Sequence, residues 1–145
     1  MPVNNADGDI EFPLNSDIPA RVPEGDYDLV FLKGDKKHMF GGGERSFLWF
    51  KIITPGDWMG TQLFMTCTVP LKGKWSPSHK FWLAWVLAAG KRPTRGDRMS
   101  TRIFRNKVFR GRVRIVTKTA RQTLRTKEQQ YSVVDELAAV QAGGK

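Results

Sequence analysis

Val108-Phe109-Arg110-Gly111-Arg112-Val113-Arg114-Ile115-Val116-Thr117-Lys118 alternates at a period of two. Phe109, Val113 and Ile115 fall on one face, and Arg110, Arg112, Arg114 and Lys118 fall on the other. Side chains alternate across a strand, so this pattern predicts a β-strand with one apolar and one cationic face. Phe, Val, Ile and Thr also favour strands. Guanidinium groups spaced about 6.6–6.8 Å along a strand repel one another. They belong on an exposed face, either a solvated outer face or one that meets polyanions.

The charge around that strand favours the second reading. The 145-residue chain carries a formal charge of +10, and its length fits one domain with a real core. From Lys91 to Lys127 there are fourteen basic residues and one acidic residue, Asp97. From Met1 to Ala20 there are four acids (Asp7, Asp9, Glu11 and Asp17) and no base. A basic domain with an acidic arm points to a polyanion, most often nucleic acid. The arm, residues 1–22, lacks periodicity and is expected to be disordered, either a leader with no role or a competitor of the polyanion for the basic face.

Outward from the cationic strand, the chain reads as alternating short elements. Pro23-Glu24-Gly25 is turn chemistry, and Asp26 to Lys33 is the first strand, with Tyr27, Leu29 and Phe31 on one face. Gly41-Gly42-Gly43 reads as a hairpin loop. A phosphate loop would need Gly-Lys-Ser/Thr, and Glu44-Arg45 follows instead. Ser46 to Thr54 is the second strand, with Phe47, Trp49 and Lys51 on one face. That face is either core beneath the arm or a stacking platform with a phosphate-binding lysine. Thr61 to Val69 is the third strand and includes Phe64. Lys72-Gly73-Lys74-Trp75 is a basic loop that either clamps a backbone or packs at a helix start. Ser76-Pro77 is expected to open a helix that ends at Ala89, before Gly90. That helix is apolar nearly all round and is expected to be buried. Thr94 to Asn106 reads as an irregular basic connector, and its Arg95-Gly96-Asp97 is read as chance. A basic loop carrying Arg121, Arg125 and Lys127 precedes the last strand, Gln129 to Leu137, and a flexible tail, residues 138–145.

Other chemistry finds little footing. Cys67 is the lone cysteine, so no intrachain disulfide forms, and a small core residue is expected. Neither His38 nor His79 has a carboxylate or cysteine at metal-ligand spacing. Asp135-Glu136 lacks the third acid of a metal nuclease. Asp26 and Asp28 read as solvated. The expectation is therefore no enzyme, no cofactor and no metal. No signal peptide or membrane span is read, and a soluble intracellular protein is expected.

The order strand, strand, strand, helix, strand, strand predicts a mainly β fold, a five-stranded OB-type barrel with one helix between strands three and four. In that fold ligands lie on the second and third strands, between the first-to-second and fourth-to-fifth loops. Pro23-Glu24-Gly25-x-Tyr27, Gly60-Thr61-x-Leu63, Lys118-Thr119 and Tyr131-Ser132-Val133-Val134-Asp135-Glu136 resemble small OB-like proteins of phages, plasmids and integrative elements. The resemblance covers about residues 18–137 and rests on short, mainly structural motifs. It implies single-stranded-DNA binding in support of replication or recombination of a mobile element, with recombination or replication proteins as partners. The ending Gln-Ala-Gly-Gly-Lys departs from the acidic, partner-recruiting tail of housekeeping bacterial single-strand-binding proteins.

The expected function is single-strand binding with low sequence specificity, on a chain that self-associates or acts alone. Phosphates are expected at Lys51, Lys72, Lys74, Arg110, Arg112, Arg114, Lys118, Arg121 and Arg125. Bases are expected to stack on Phe47, Trp49, Phe64 and Trp75. RNA binding uses the same chemistry, and an adaptor docking an acidic protein is the alternative of a different class.

Overall fold

Gly25–His38, Glu44–Ile52 and Gln62–Val69 form strands β3, β4 and β5, Lys107–Val116 forms β6, and Tyr131–Gly143 forms β7. In this computed structural model residues 3–4, 8–11, 20–38, 44–70, 75–94 and 99–143 are described. Two further strands, β1 (Val3–Asn4) and β2 (Ile10–Glu11), pair only with each other. The five long strands make one sheet in the order β5-β4-β3-β6-β7, antiparallel throughout. The sheet curls into a half-barrel that brings its outermost strands, β5 and β7, near each other. Helix α1 (Lys80–Ala89) lies in the chain between β5 and β6.

Alternation builds the core. Leu48, Phe50 and Ile52 of β4, Leu63, Met65 and Cys67 of β5, and Phe109 and Val113 of β6 are all buried. The cationic strand therefore turns its arginines outward. Between Phe109 and Val113 the apolar face carries Gly111, where a Cβ would lie 2.5 Å from Leu29 Cδ1 and 3.3 Å from the Glu136 carbonyl oxygen. Only glycine fits there, because the side chain of β3 occupies the space.

Several boundaries differ from the sequence reading. The helix starts at Lys80, with His79 as its N-cap, and Ser76 does not cap it. The Ser76 side chain instead reaches His79 Nδ1 (2.9 Å) and Ser78 Oγ (2.9 Å). Gly90 ends the helix as expected, in the left-handed region (φ 72°), donating its N–H to the Val86 carbonyl. The helix is only half-buried. Phe81, Ala84, Trp85 and Ala88 enter the core, while Leu83 remains 51% exposed. An all-apolar helix on the side of a half-barrel has one face left over.

The basic connector holds a core residue. Thr101–Phe104 is a 3-10 turn, and Phe104 is fully buried against Phe31, Phe81 and Phe109, with ring centroids 5.5–5.9 Å apart. The last strand runs to Gly143, past the expected Leu137. Val22, assigned to the arm, is a core residue. Buried Ser132 ties it down, its hydroxyl accepting from the Val22 N–H (2.7 Å) and donating to the Val22 carbonyl (2.8 Å). The Ser132 N–H also donates to the Ala20 carbonyl. The arm residues 12–19, the glycine run 41–43 and Arg95-Gly96-Asp97 lie outside the described residues.

Candidate nucleic-acid interface

The outer face of β4 and β5 gathers the aromatics. Register sets Trp49 opposite Phe64, Phe47 opposite Thr66, and Lys51 opposite Gln62. Phe64 stands at the centre. Its ring meets Trp49 edge-on at 5.2 Å, Phe47 edge-on at 5.3 Å and Tyr131 at 6.2 Å. All four rings are half-buried, so they support one another and still present surface to solvent. Phe47 and Trp49 are thus neither core nor free platforms. Edge-to-face pairs of this kind each contribute about 0.5–1.5 kcal/mol beyond their area burial.

Cations surround the cluster. A β-bulge in β3 at Leu32 places Lys33 opposite Trp49. The extra residue flips the side-chain parity, and Lys33 Nζ then lies 5.9 Å from the Trp49 ring centroid. Arg125 lies 5.4 Å from the Tyr131 ring centroid. It is held there by its backbone N–H donating to the Thr117 carbonyl and by its Nε donating to the Lys118 carbonyl. Arg45 and Lys51 share the outer face of β4 with the aromatics, the four side chains from Arg45 to Lys51 spanning about 20 Å. Arg45, Lys51 and Lys118 have no carboxylate partner among the described residues. A groove of about 570 Å³ follows the seam between β5 and β7, lined by Phe64, Tyr131, Arg45, Lys80, Lys118 and Arg125 among others.

The arginine row is different. Arg110 pairs with Asp28 (3.2 Å), Arg112 with Asp26 (3.7 Å) and Arg114 with Asp135 (2.9 Å). Asp26 is exposed, as expected of a solvated acid, but both it and the half-buried Asp28 are ion-paired. They sit opposite Arg112 and Arg110 in the β3–β6 register. Asp135 also takes Lys80 at 3.5 Å. Partial burial alone would raise the Asp135 carboxyl. The Arg114 hydrogen bond and the charges of Lys80 and Arg114 outweigh it and hold the group below the usual carboxylate range. The outer surface thus divides into an acid–base ladder over β3, β6 and β7 and an aromatic, cation-rich face over β4 and β5.

Of the remaining expected residues, Trp75 is half-buried against Phe81 (5.4 Å) and His79 (5.6 Å) and packs at the helix start, apart from Trp49. Arg121 is exposed on the loop before β7. Lys72 and Lys74 lie outside the described residues. Sequence reasoning missed Lys33, Arg45, Lys80 and Tyr131. Of these only Arg45 was accessible to it, since it shares parity with Phe47, Trp49 and Lys51.

Among the described residues no group of three His, Cys, Asp or Glu side chains could hold a metal. No helix among them is long and apolar enough to cross a membrane. Neither a family model nor a curated protein matches the sequence, and no solved structure matches the fold.

Proposed function

We propose that the chain binds single-stranded DNA with little sequence preference, using the outer face of β4 and β5 of an OB-type barrel. The observation that carries this reading is the half-buried cluster of Phe47, Trp49, Phe64 and Tyr131, ringed by cations of which Arg45, Lys51, Lys118 and Arg125 have no carboxylate partner among the described residues, while Lys33 pairs with Asp35. Bases stack on such rings irrespective of sequence, each contributing about 1–3 kcal/mol, while cations track the backbone. The strand order 3-2-1-4-5 of the long strands and the approach of β5 to β7 suit an OB barrel closed along that seam. On such a barrel the aromatic face is the ligand face. The phosphate contacts are Lys51, Arg45, Lys118, Arg125 and Arg121. Arg110, Arg112 and Arg114 are assigned to the ion-pair ladder and contribute little. A role beside the replication or recombination machinery of a mobile element, in the bacterial cytoplasm, follows from the family resemblance.

Titration of the full chain with matched single-stranded DNA, single-stranded RNA and duplex oligomers at several salt concentrations tests the reading. Preference for single strands, with affinity falling as salt rises, supports it. Equal affinity for duplex DNA and heparin would replace it with a docking surface for acidic partners.

A further inference from the structure

Beside the aromatic face, at the start of α1, lies a second cavity of about 330 Å³ lined by Arg45, Thr66, Thr68, Ser78, His79 and Lys80. Every one of these side chains is a cation, an imidazole or a hydroxyl, and no carboxylate is among them. An interior of donors with two positive charges and no acid is a receptor for a tetrahedral oxyanion. We infer that this cavity is a phosphate subsite, and the inference rests on the single-strand reading for the origin of its phosphate.

Three features tie the cavity to that chemistry. Thr66 and Thr68 alternate on the outer face of β5, opposite Phe47 and Arg45 of β4. Their hydroxyls and the Arg45 guanidinium therefore share one side of the sheet, next to the stacking rings. His79 Nδ1 faces Ser76. The Ser76 backbone N–H donates to His79 Nδ1 at 3.0 Å, so the neutral ring carries its hydrogen on Nε2, which remains a donor. Lys80 is shared. Its only carboxylate partner among the described residues is Asp135, which holds Arg114 at 2.9 Å and Lys80 at 3.5 Å. Arg114 satisfies Asp135 when Lys80 turns to an incoming anion.

Arg45, Thr66 and Lys80 also line the larger groove containing Phe64 and Tyr131. The two cavities thus adjoin, and a strand stacked on the aromatic cluster delivers a phosphate to the subsite. That phosphate is either an internal phosphodiester or the terminal phosphate of a strand end.

Nuclear magnetic resonance of the full chain tests the subsite with inorganic phosphate as probe, at constant ionic strength, with chloride as control. The expected result is a saturable shift of the His79 ring and of the Thr66 and Thr68 amides. Arg45→Gln and Lys80→Gln should each weaken phosphate binding about tenfold, as loss of a charge-assisted hydrogen bond does. Both residues are exposed, so the variants keep the fold. Shifts identical in chloride would overturn the subsite. Oligo-dT with a 5′-phosphate, a 3′-phosphate or hydroxyl ends then identifies the source. A gain for one phosphorylated end assigns a terminal phosphate. Equal affinities, all lowered by Arg45→Gln, assign an internal one. Should Trp49→Ala weaken oligomer binding while Lys80→Gln leaves it at wild type and phosphate is silent, the subsite fails and the single-strand reading stands. Saturable phosphate binding without any oligomer binding would do the opposite, keeping the oxyanion site and overturning the single-strand reading.

Discussion

Arg114 donates from Nε to Asp135 Oδ1 at 2.9 Å, across the register between β6 and β7. The contact anchors the last arginine of the cationic strand to a carboxylate that also holds Lys80. It converts a row of like charges into one side of an ion-pair ladder.

Stability should depend on pH through Asp135, whose carboxyl is lowered in the folded state. Its stabilisation is therefore fully present above the unfolded value, about 3.9, and is lost as pH falls through the lower folded value. The side chain is 34% exposed, so solvent screening holds the effect within the roughly 0.2–1 kcal/mol of exposed pairs. Melting curves of wild type and Asp135→Asn from pH 2 to 7 should differ at neutral pH and converge at the acid end. A constant gap at all pH values would show that the charge of Asp135 contributes nothing.

Trp49→Ala should weaken oligo-dT binding by about 1–3 kcal/mol, the worth of one stacked base. It should also remove much of the intrinsic-fluorescence quenching caused by oligo-dT. Because Trp49 is half-buried, the stability cost should stay below the roughly 3–5 kcal/mol of a core aromatic. A large drop in melting temperature with unchanged affinity would return Trp49 to a purely structural role.

Salt dependence separates the two charged regions. Lys51→Ala should lower the magnitude of the log–log salt slope by about 0.7, the value for one phosphate contact on a single strand. Arg112→Ala should leave the slope unchanged, because Asp26 already faces that guanidinium. The reverse pattern would move the interface onto β6.

Gly111→Ala should destabilise the fold by about 1–3 kcal/mol, the usual cost of overpacking. The added methyl meets Leu29 of β3 and the backbone of β7 at once. Denaturant unfolding measures it, and Leu29→Ala in the same chain should recover part of the loss caused by Gly111→Ala. No recovery would show that the backbone of β7, rather than Leu29, sets the limit.

Much of the sheet was legible because alternation is local. Phe109 and Val113 were assigned to the apolar face from parity alone, and burial in the structure agrees. The helix end at Gly90 was equally legible, since a left-handed cap is a property of one residue. Phe104 was not. It lies in a basic connector whose apolar residues, Met99, Ile103 and Phe104, show no strand or helix period, and only the ring contacts that surround it reveal its place.

The sequence by itself determined which side chains share a face: Phe47 with Trp49 and Lys51, and Arg110 with Arg112 and Arg114. Tertiary structure alone decided what each face meets. Asp28 lies 82 positions from Arg110 in the chain, and no local pattern links them; the antiparallel register of β3 and β6 does. Lys33 reaches Trp49 only because a bulge reverses its parity. Tyr131 joins Phe64 only because β7 curls round to β5. Side-chain direction follows from the pleat of one strand, whereas neutralisation and clustering depend on which strands pair, and pairing is fixed by burying the whole core at once.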